Sequence, residues 1–457
     1  MAEKILENKD PKLEAMTVDH EVSAPKPIPV DEPTLTRVAR PLRHVRHIPV
    51  KSLVFHSKHG PITFSYENKI KLPISKNKLV VQVNYVGLNP VDMKIRNGYT
   101  KPIYGEAGIG REYSGVITHV GDNLTNRWNV GDDVYGIYYH PKLAIGALQS
   151  SLLIDPRVDP ILMRPKNTLS PEKAAGSLFC LGTALNLLAQ LKEKDQLNTE
   201  SNVLINGGTS SVGMFAIQLL KRYYKVSKKL VVVTSGNGAA VLSEHFPDLK
   251  DEIIFINYLS CRGKSSKPLR RMLDTGKVVD YDDFNTLKET EDYTQGKFNV
   301  VLDFIGGYDI LSHSSSLIHA KGAYITTVGD YVGNYKKDVF DSWDNPSANA
   351  RKMFGSMLWS YDYSHFYFDP NIKIIPKKND WIHECGKLLN EGVVDCVVDK
   401  VYSWKNFKEA FSYMATQRAQ GKLIMKVEGF ENGSFCLPRF HLIFIEVSWS
   451  IHTQKYN

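Results

Sequence analysis

Cysteine is scarce in this chain, and its few cysteines form no pattern. Cys180, Cys261, Cys385, Cys396 and Cys436 are scattered over 457 residues without a C-x-x-C pair. That usage fits a reducing compartment and leaves no disulfide framework or structural zinc knuckle to read. Apolar runs of about 18 or more residues are also missing, so no transmembrane helix is expected. The opening MAEKILENKDPKLEAM is too charged for a secretory signal. No RNA- or DNA-binding signature occurs, so nucleic acid is not an expected partner.

The net charge of +8 is unevenly placed. Residues 1–34 carry a net −4, residues 35–51 carry +5, and residues 261–277 carry another +5. The excess therefore lies in two short segments beside a nearly neutral body. In the first, Arg37, Arg40, Arg43 and Arg46 recur every third residue. A polyproline II segment would project all four from one face, and Pro41 disfavours a continuous helix. Each such charge contributes about 1 kcal/mol near an anionic membrane surface. These four arginines are the expected contact with a membrane or an acidic partner; a solvated linker is the plainer alternative.

Five stretches follow along the chain. Residues 1–48 are polar, Pro-rich and aperiodic, and read as an extension. Residues 49–170 are β-rich, with one short helix at LNPVDMKIRNG for which Asn89 is the expected N-cap and Asp92 the first-turn acid. Residues 171–340 alternate helix and strand and read as a doubly wound parallel sheet. Residues 341–430 return to the β-rich part. Residues 431–457 form a tail with no evident role.

VLINGGTSSVGMFAIQLL, Val203 to Leu220, reads as a dinucleotide-binding strand, turn and helix. Gly208 and Gly213 take the first and third glycine roles, while Ser210 stands at the second, which normally admits the pyrophosphate. Thr209, Ser210, Ser211 and Val212 complete the expected cradle at the helix start. No acid follows the next strand to hold a ribose 2′-hydroxyl, whereas Ser235 and Asn237 offer hydrogen bonds to a 2′-phosphate. NADPH is thus favoured over NADH, and a scaffold holding no nucleotide is the alternative. No side-chain constellation for nucleophilic or acid–base catalysis emerges.

The β-rich stretch VVQVNYVGLNPVDMKIRNG with GIGREYSGVITHVGDNLTNRWNVGDDVYG resembles the GroES-like half of medium-chain dehydrogenases/reductases. The turn above, FNVVLDFIGG, KGAYITTVG and RAQGKLIMKV resemble that family's later strands, in the family's order. The resemblance spans roughly residues 50–430, is nearest to the zinc-free quinone-oxidoreductase branch, and more narrowly to the fungal Ast proteins.

The resemblance implies an α/β fold: a GroES-like β-rich domain plus a Rossmann domain. The family's three catalytic zinc-ligand positions fall on Asn89, Arg111 and Cys180, so no metal is expected. For function it implies a raft-associated peripheral factor on the cytoplasmic side that helps deliver the plasma-membrane proton ATPase to the cell surface. The alternative is a zinc-independent, NADPH-dependent quinone or enone oxidoreductase. A homo-oligomer is left open.

Overall fold

The computed structural model describes residues 46–98, 106–140, 145–282, 286–339, 346–370 and 381–428. Arg37, Arg40 and Arg43 lie outside these residues, as does the tail from 429; Arg46 is described and exposed.

The β-rich part is a mainly antiparallel sheet. Its strands are β1 (Leu79–Leu88), β2 (Glu112–Val120), β3 (Asp133–Ile137), β4 (Ser151–Ile154) and β5 (Ile161–Met163). Helix α1 (Pro90–Gly98) leaves the end of β1, with Pro90 at its first position as the sequence predicts. A second short helix, α2 (Pro171–Ala175), is capped by Ser170, whose hydroxyl accepts from Lys173 N at 3.3 Å. Helix α3 (Leu178–Glu193), apolar on most sides, then leads into the second sheet.

That sheet begins with β6 (Val203–Asn206), α4 (Ser211–Gln218), β7 (Leu230–Thr234), α5 (Gly236–His245) and β8 (Ile253–Asn257). Helix α6 (Ser266–Thr275), β9 (Phe298–Asp303), β10 (Ile318–Thr326) and β11 (Asp362–His365) complete it. Its strands run in the order β8-β7-β6-β9-β10-β11, all parallel, which is the doubly wound order with a switch point between β6 and β9. The strands are short and apolar because both faces are covered. Val203, Ile205 and Val232 pack on one side with Leu181 and Ile217. Leu204, Val231 and Val233 pack on the other with Leu269, Met272 and Tyr324.

Within the basic segment 261–277, α6 buries Leu269 and Met272 while its lysines and arginines remain exposed. One boundary differs from the sequence reading: the return to the first sheet comes later than residue 341, because β11 still pairs with β10. Helix α7 (Trp381–Asn390) follows. Only β12 (Val398–Ser403) and, after α8 (Phe407–Ala415), β13 (Lys422–Lys426) rejoin the first sheet. Strand β13 pairs antiparallel with β1 and parallel with β12, so the sheet runs β5-β3-β2-β1-β13-β12, with β4 also on β1.

Candidate functional site

The glycine turn between β6 and α4 lies at the carboxyl end of the parallel sheet. Gly207, not Gly208, takes the left-handed backbone, with φ +91°. Its amide and that of Gly208 both donate to Val233 O, at 3.1 and 3.2 Å. Gly208 serves close packing instead: a Cβ there would lie 2.1 Å from Val232 Cγ1. At Gly213 a Cβ would lie 2.4 Å from Gly207 O, so the third glycine lets α4 close against the turn as expected.

Ser210 is the N-cap of α4. Its hydroxyl accepts from Gly213 N at 3.0 Å and donates to Gly207 O at 2.8 Å. Both bonds of the hydroxyl thus lie within the turn. The amides of Ser211 and Val212, in the first turn of α4, have no intrahelical acceptor. Thr209 pairs its hydroxyl with that of Thr234 at 3.2 Å, and its carbonyl accepts from Gly421 N at 3.1 Å.

Ser235 caps α5 through Gly238 N at 2.9 Å, and Asn237 Nδ2 donates to Gln420 Oε1 at 2.8 Å. Both side chains expected at a 2′-phosphate therefore have partners within the protein. One residue not singled out from sequence, Asp303 at the end of β9, anchors this crevice. Its Oδ1 accepts from Asn206 Nδ2 at 2.8 Å and Gly306 N at 2.9 Å, and its Oδ2 from Tyr324 Oη at 2.6 Å. Burial pushes its carboxyl up, and these donors pull the other way.

Beside the turn opens a cavity of about 430 Å³, whose wall includes Asn89, Cys180, Val212, Val328, His365 and Phe368. The wall is mainly apolar, with Asn89, Thr183 and His365 among its polar side chains. There Asn89 does not cap α1 with its side chain, contrary to the local reading. Its Nδ2 donates to Glu112 Oε1 at 2.9 Å and its Oδ1 accepts from Lys422 Nζ at 2.6 Å. Asp92 serves the helix end, accepting from Asn89 N at 2.9 Å.

Lys422, from β13, also reaches Glu112 Oε1 at 2.6 Å and Cys180 Sγ at 3.3 Å. The Lys422 and Glu112 side chains are only 2% and 1% exposed. Glu112 Oε2 accepts from Phe179 N at 2.9 Å. Burial alone would lower the Lys422 ammonium, but the neighbouring sulfur and carboxylate outweigh it and hold it charged. Burial pushes the Cys180 thiol up, against the pull of the neighbouring Lys422 ammonium. Arg111 turns elsewhere, with its Nε 3.5 Å from Asp92 Oδ1 and NH1 donating to Ile145 O at 2.9 Å.

Neither Lys422 nor Glu112 could be singled out by spacing, since Lys422 lies 333 positions from Asn89. Among the described residues there is no group of three or more His, Cys, Asp or Glu that could hold a metal ion. The side chains around Lys422 do not fit a zinc ion: one thiol, one amide and one carboxylate surround a cation already in place.

Residues 75–147 match the alcohol dehydrogenase GroES-like domain, and residues 273–425 match a zinc-binding dehydrogenase model. Protein AST1 of Saccharomyces cerevisiae is 69% identical over 430 residues, covering 94% of this chain and all of AST1. Protein YIM1 of the same species is 24% identical over 83% of this chain and 98% of its own length. Among solved structures, the quinone oxidoreductase of Coxiella burnetii aligns with a TM-score of 0.60 at 20% identity, covering 84% of this chain and 100% of that one. The human synaptic vesicle membrane protein VAT-1 homolog-like protein aligns at 0.55 and 17%, covering 84% and 99%.

Proposed function

The chain belongs to the medium-chain dehydrogenase/reductase superfamily and, within it, to the family of Saccharomyces protein AST1. From that premise we propose that it acts without zinc as a peripheral factor on the cytoplasmic membrane face, assisting delivery of the plasma-membrane proton ATPase to the cell surface. The observation that carries this reading is the 69% identity along the whole of AST1. The basic segment ending at the exposed Arg46 is the proposed membrane contact, with Arg37, Arg40 and Arg43 before it. Among the described residues no helix is long and apolar enough to cross a membrane. The test is co-sedimentation of the full chain with anionic liposomes at low and high salt. Salt-sensitive binding that is lost when all four arginines become alanine is expected; unchanged binding removes the contact.

A second reading, a zinc-independent NADPH-dependent quinone or enone reductase, is favoured by the cavity beside the glycine turn. The Ser211 and Val212 amides would hold the pyrophosphate, and Ser235 and Asn237 would face the 2′-phosphate. The bound dinucleotide would supply the reducing electrons. Titration with NADPH and NADH decides it: micromolar NADPH binding with quinone turnover supports a reductase, and no binding at millimolar cofactor removes it.

A further inference from the structure

The second basic segment, 261–277, has no part in the function proposed above. Leu269 and Met272 seat α6 on the parallel sheet, on the opposite face from α3 and α4. Asp309 fixes the start of the helix, accepting from Ser266 N at 2.9 Å and from Ser266 Oγ at 2.6 Å. Lys267, Arg270 and Arg271, three and four positions apart, share the face opposite the buried pair, and all three are exposed. Lys264, in the turn before the helix, is exposed too. Acids of the hairpin that follows α6 are engaged elsewhere: Asp292 with Lys277, Glu291 with Lys229 at 2.8 Å, and Asp280 with Ser260 Oγ at 3.0 Å. Among the described residues none of the four cations has an ion pair, and Asp274 is the only acid in α6.

The turn leading into α6 is closed by backbone bonds from Arg262 N to Leu259 O at 3.0 Å and from Gly263 N to Tyr258 O at 2.7 Å, with Cys261 buried. It leaves Tyr258 41% and Leu259 52% exposed. Cations without counter-ions, following an exposed aliphatic and an exposed aromatic group, suit a surface with anionic charge over an apolar layer. An acidic protein would answer the charges alone. We propose that α6 and the turn before it form a second membrane-docking surface. Lys264, Lys267, Arg270 and Arg271 hold anionic lipid headgroups, while Tyr258 and Leu259 rest at the boundary between headgroups and acyl chains. The proposal rests on the membrane reading above but not on the arginine segment ending at Arg46, so either contact can fail alone.

The experiment measures partition of the full chain onto phosphatidylcholine vesicles with and without phosphatidylserine. Wild type is compared with a variant in which Arg37, Arg40, Arg43 and Arg46 are alanine, and with one in which Lys264, Lys267, Arg270 and Arg271 are glutamine. The glutamine variant should bind phosphatidylserine vesicles about tenfold less than wild type, and Leu259→Ser about threefold less, both with the wild-type thermal midpoint. Binding by the glutamine variant equal to wild type overturns the proposal, whatever the arginine variant does. So does equal binding to vesicles without phosphatidylserine. A second measurement needs no substitution: acetylation of Lys264 and Lys267 in wild type should slow about threefold or more with vesicles, relative to the exposed Lys336. Equal slowing at all three lysines overturns the proposal. Binding of polyglutamate that is lost in the glutamine variant, with no vesicle binding, assigns the surface to an acidic protein and overturns the lipid assignment.

Discussion

Replacing Ser210 by glycine should loosen the glycine turn a little and open it to a dinucleotide. The serine hydroxyl makes two bonds, accepting from Gly213 N and donating to Gly207 O. Removing an N-cap of this kind costs about 0.5–2 kcal/mol when alanine replaces it and only a few tenths when glycine does. The bond to Gly207 O adds roughly 1 kcal/mol, the net worth of an ordinary hydrogen bond. Ser210→Ala should therefore lose about 1.5–3 kcal/mol and Ser210→Gly about 1–1.5 kcal/mol. On the ligand side, glycine removes a Cβ and a hydroxyl from the position where the backbone must approach a pyrophosphate. A gain of about three- to tenfold in NADPH affinity, about 0.7–1.4 kcal/mol, is expected. The assay pairs denaturant unfolding with a fluorescence titration of NADPH on wild type and both variants. If Ser210→Ala unfolds at the wild-type midpoint, the hydroxyl does not hold the turn. If Ser210→Gly binds NADPH no better than wild type, the side chain at 210 is not what limits the nucleotide.

Gly213→Ala places a methyl group 2.4 Å from Gly207 O and should cost about 1–3 kcal/mol in denaturant unfolding, as overpacking does. Asp133 is partly buried, which raises its pKa, but hydrogen bonds from Lys166 and Arg164 outweigh this and hold it below the usual carboxylate range. Its contribution is present above about pH 4 and lost as the pH falls through its lowered folded value. Asp133→Asn should accordingly flatten the acid limb of a stability-against-pH curve while leaving its alkaline side unchanged in slope. Gln420→Ala releases Asn237 Nδ2 and should raise NADPH affinity about two- to threefold, the scale of one exposed hydrogen bond, without moving the thermal midpoint.

The glycine turn was legible in outline because turn chemistry is local: Gly213 packs where the third glycine was expected, whereas the left-handed turn falls on Gly207 rather than Gly208. The buried cluster was not legible. Asn89 is well placed as an N-cap by every neighbour in sequence, yet its amide is taken by Glu112 and Lys422 from two other strands. Hydrogen bonds to two charged tertiary partners outweigh a cap bond, and no periodicity records them. Strand β11 was missed on other grounds, being four residues of DYSH that join the sheet by backbone pairing with β10 rather than by an apolar run.

The place of β13 between β1 and β12 sets a timetable for biosynthesis. Strand β1 leaves the ribosome early, while the strand that covers its free edge is encoded about 330 residues later. At 5–20 residues per second the delay is roughly 15–70 s. Throughout that interval the parallel sheet can fold, but the first sheet keeps an open hydrogen-bonding edge, a surface that invites pairing with other nascent chains. Lys422 arrives on that same late strand, so Glu112 also waits for its counter-ion until translation is almost finished. A premature stop just before residue 422 would leave both the edge and the carboxylate exposed, and would mark the chain for chaperones and proteolysis rather than yield a slightly shorter protein.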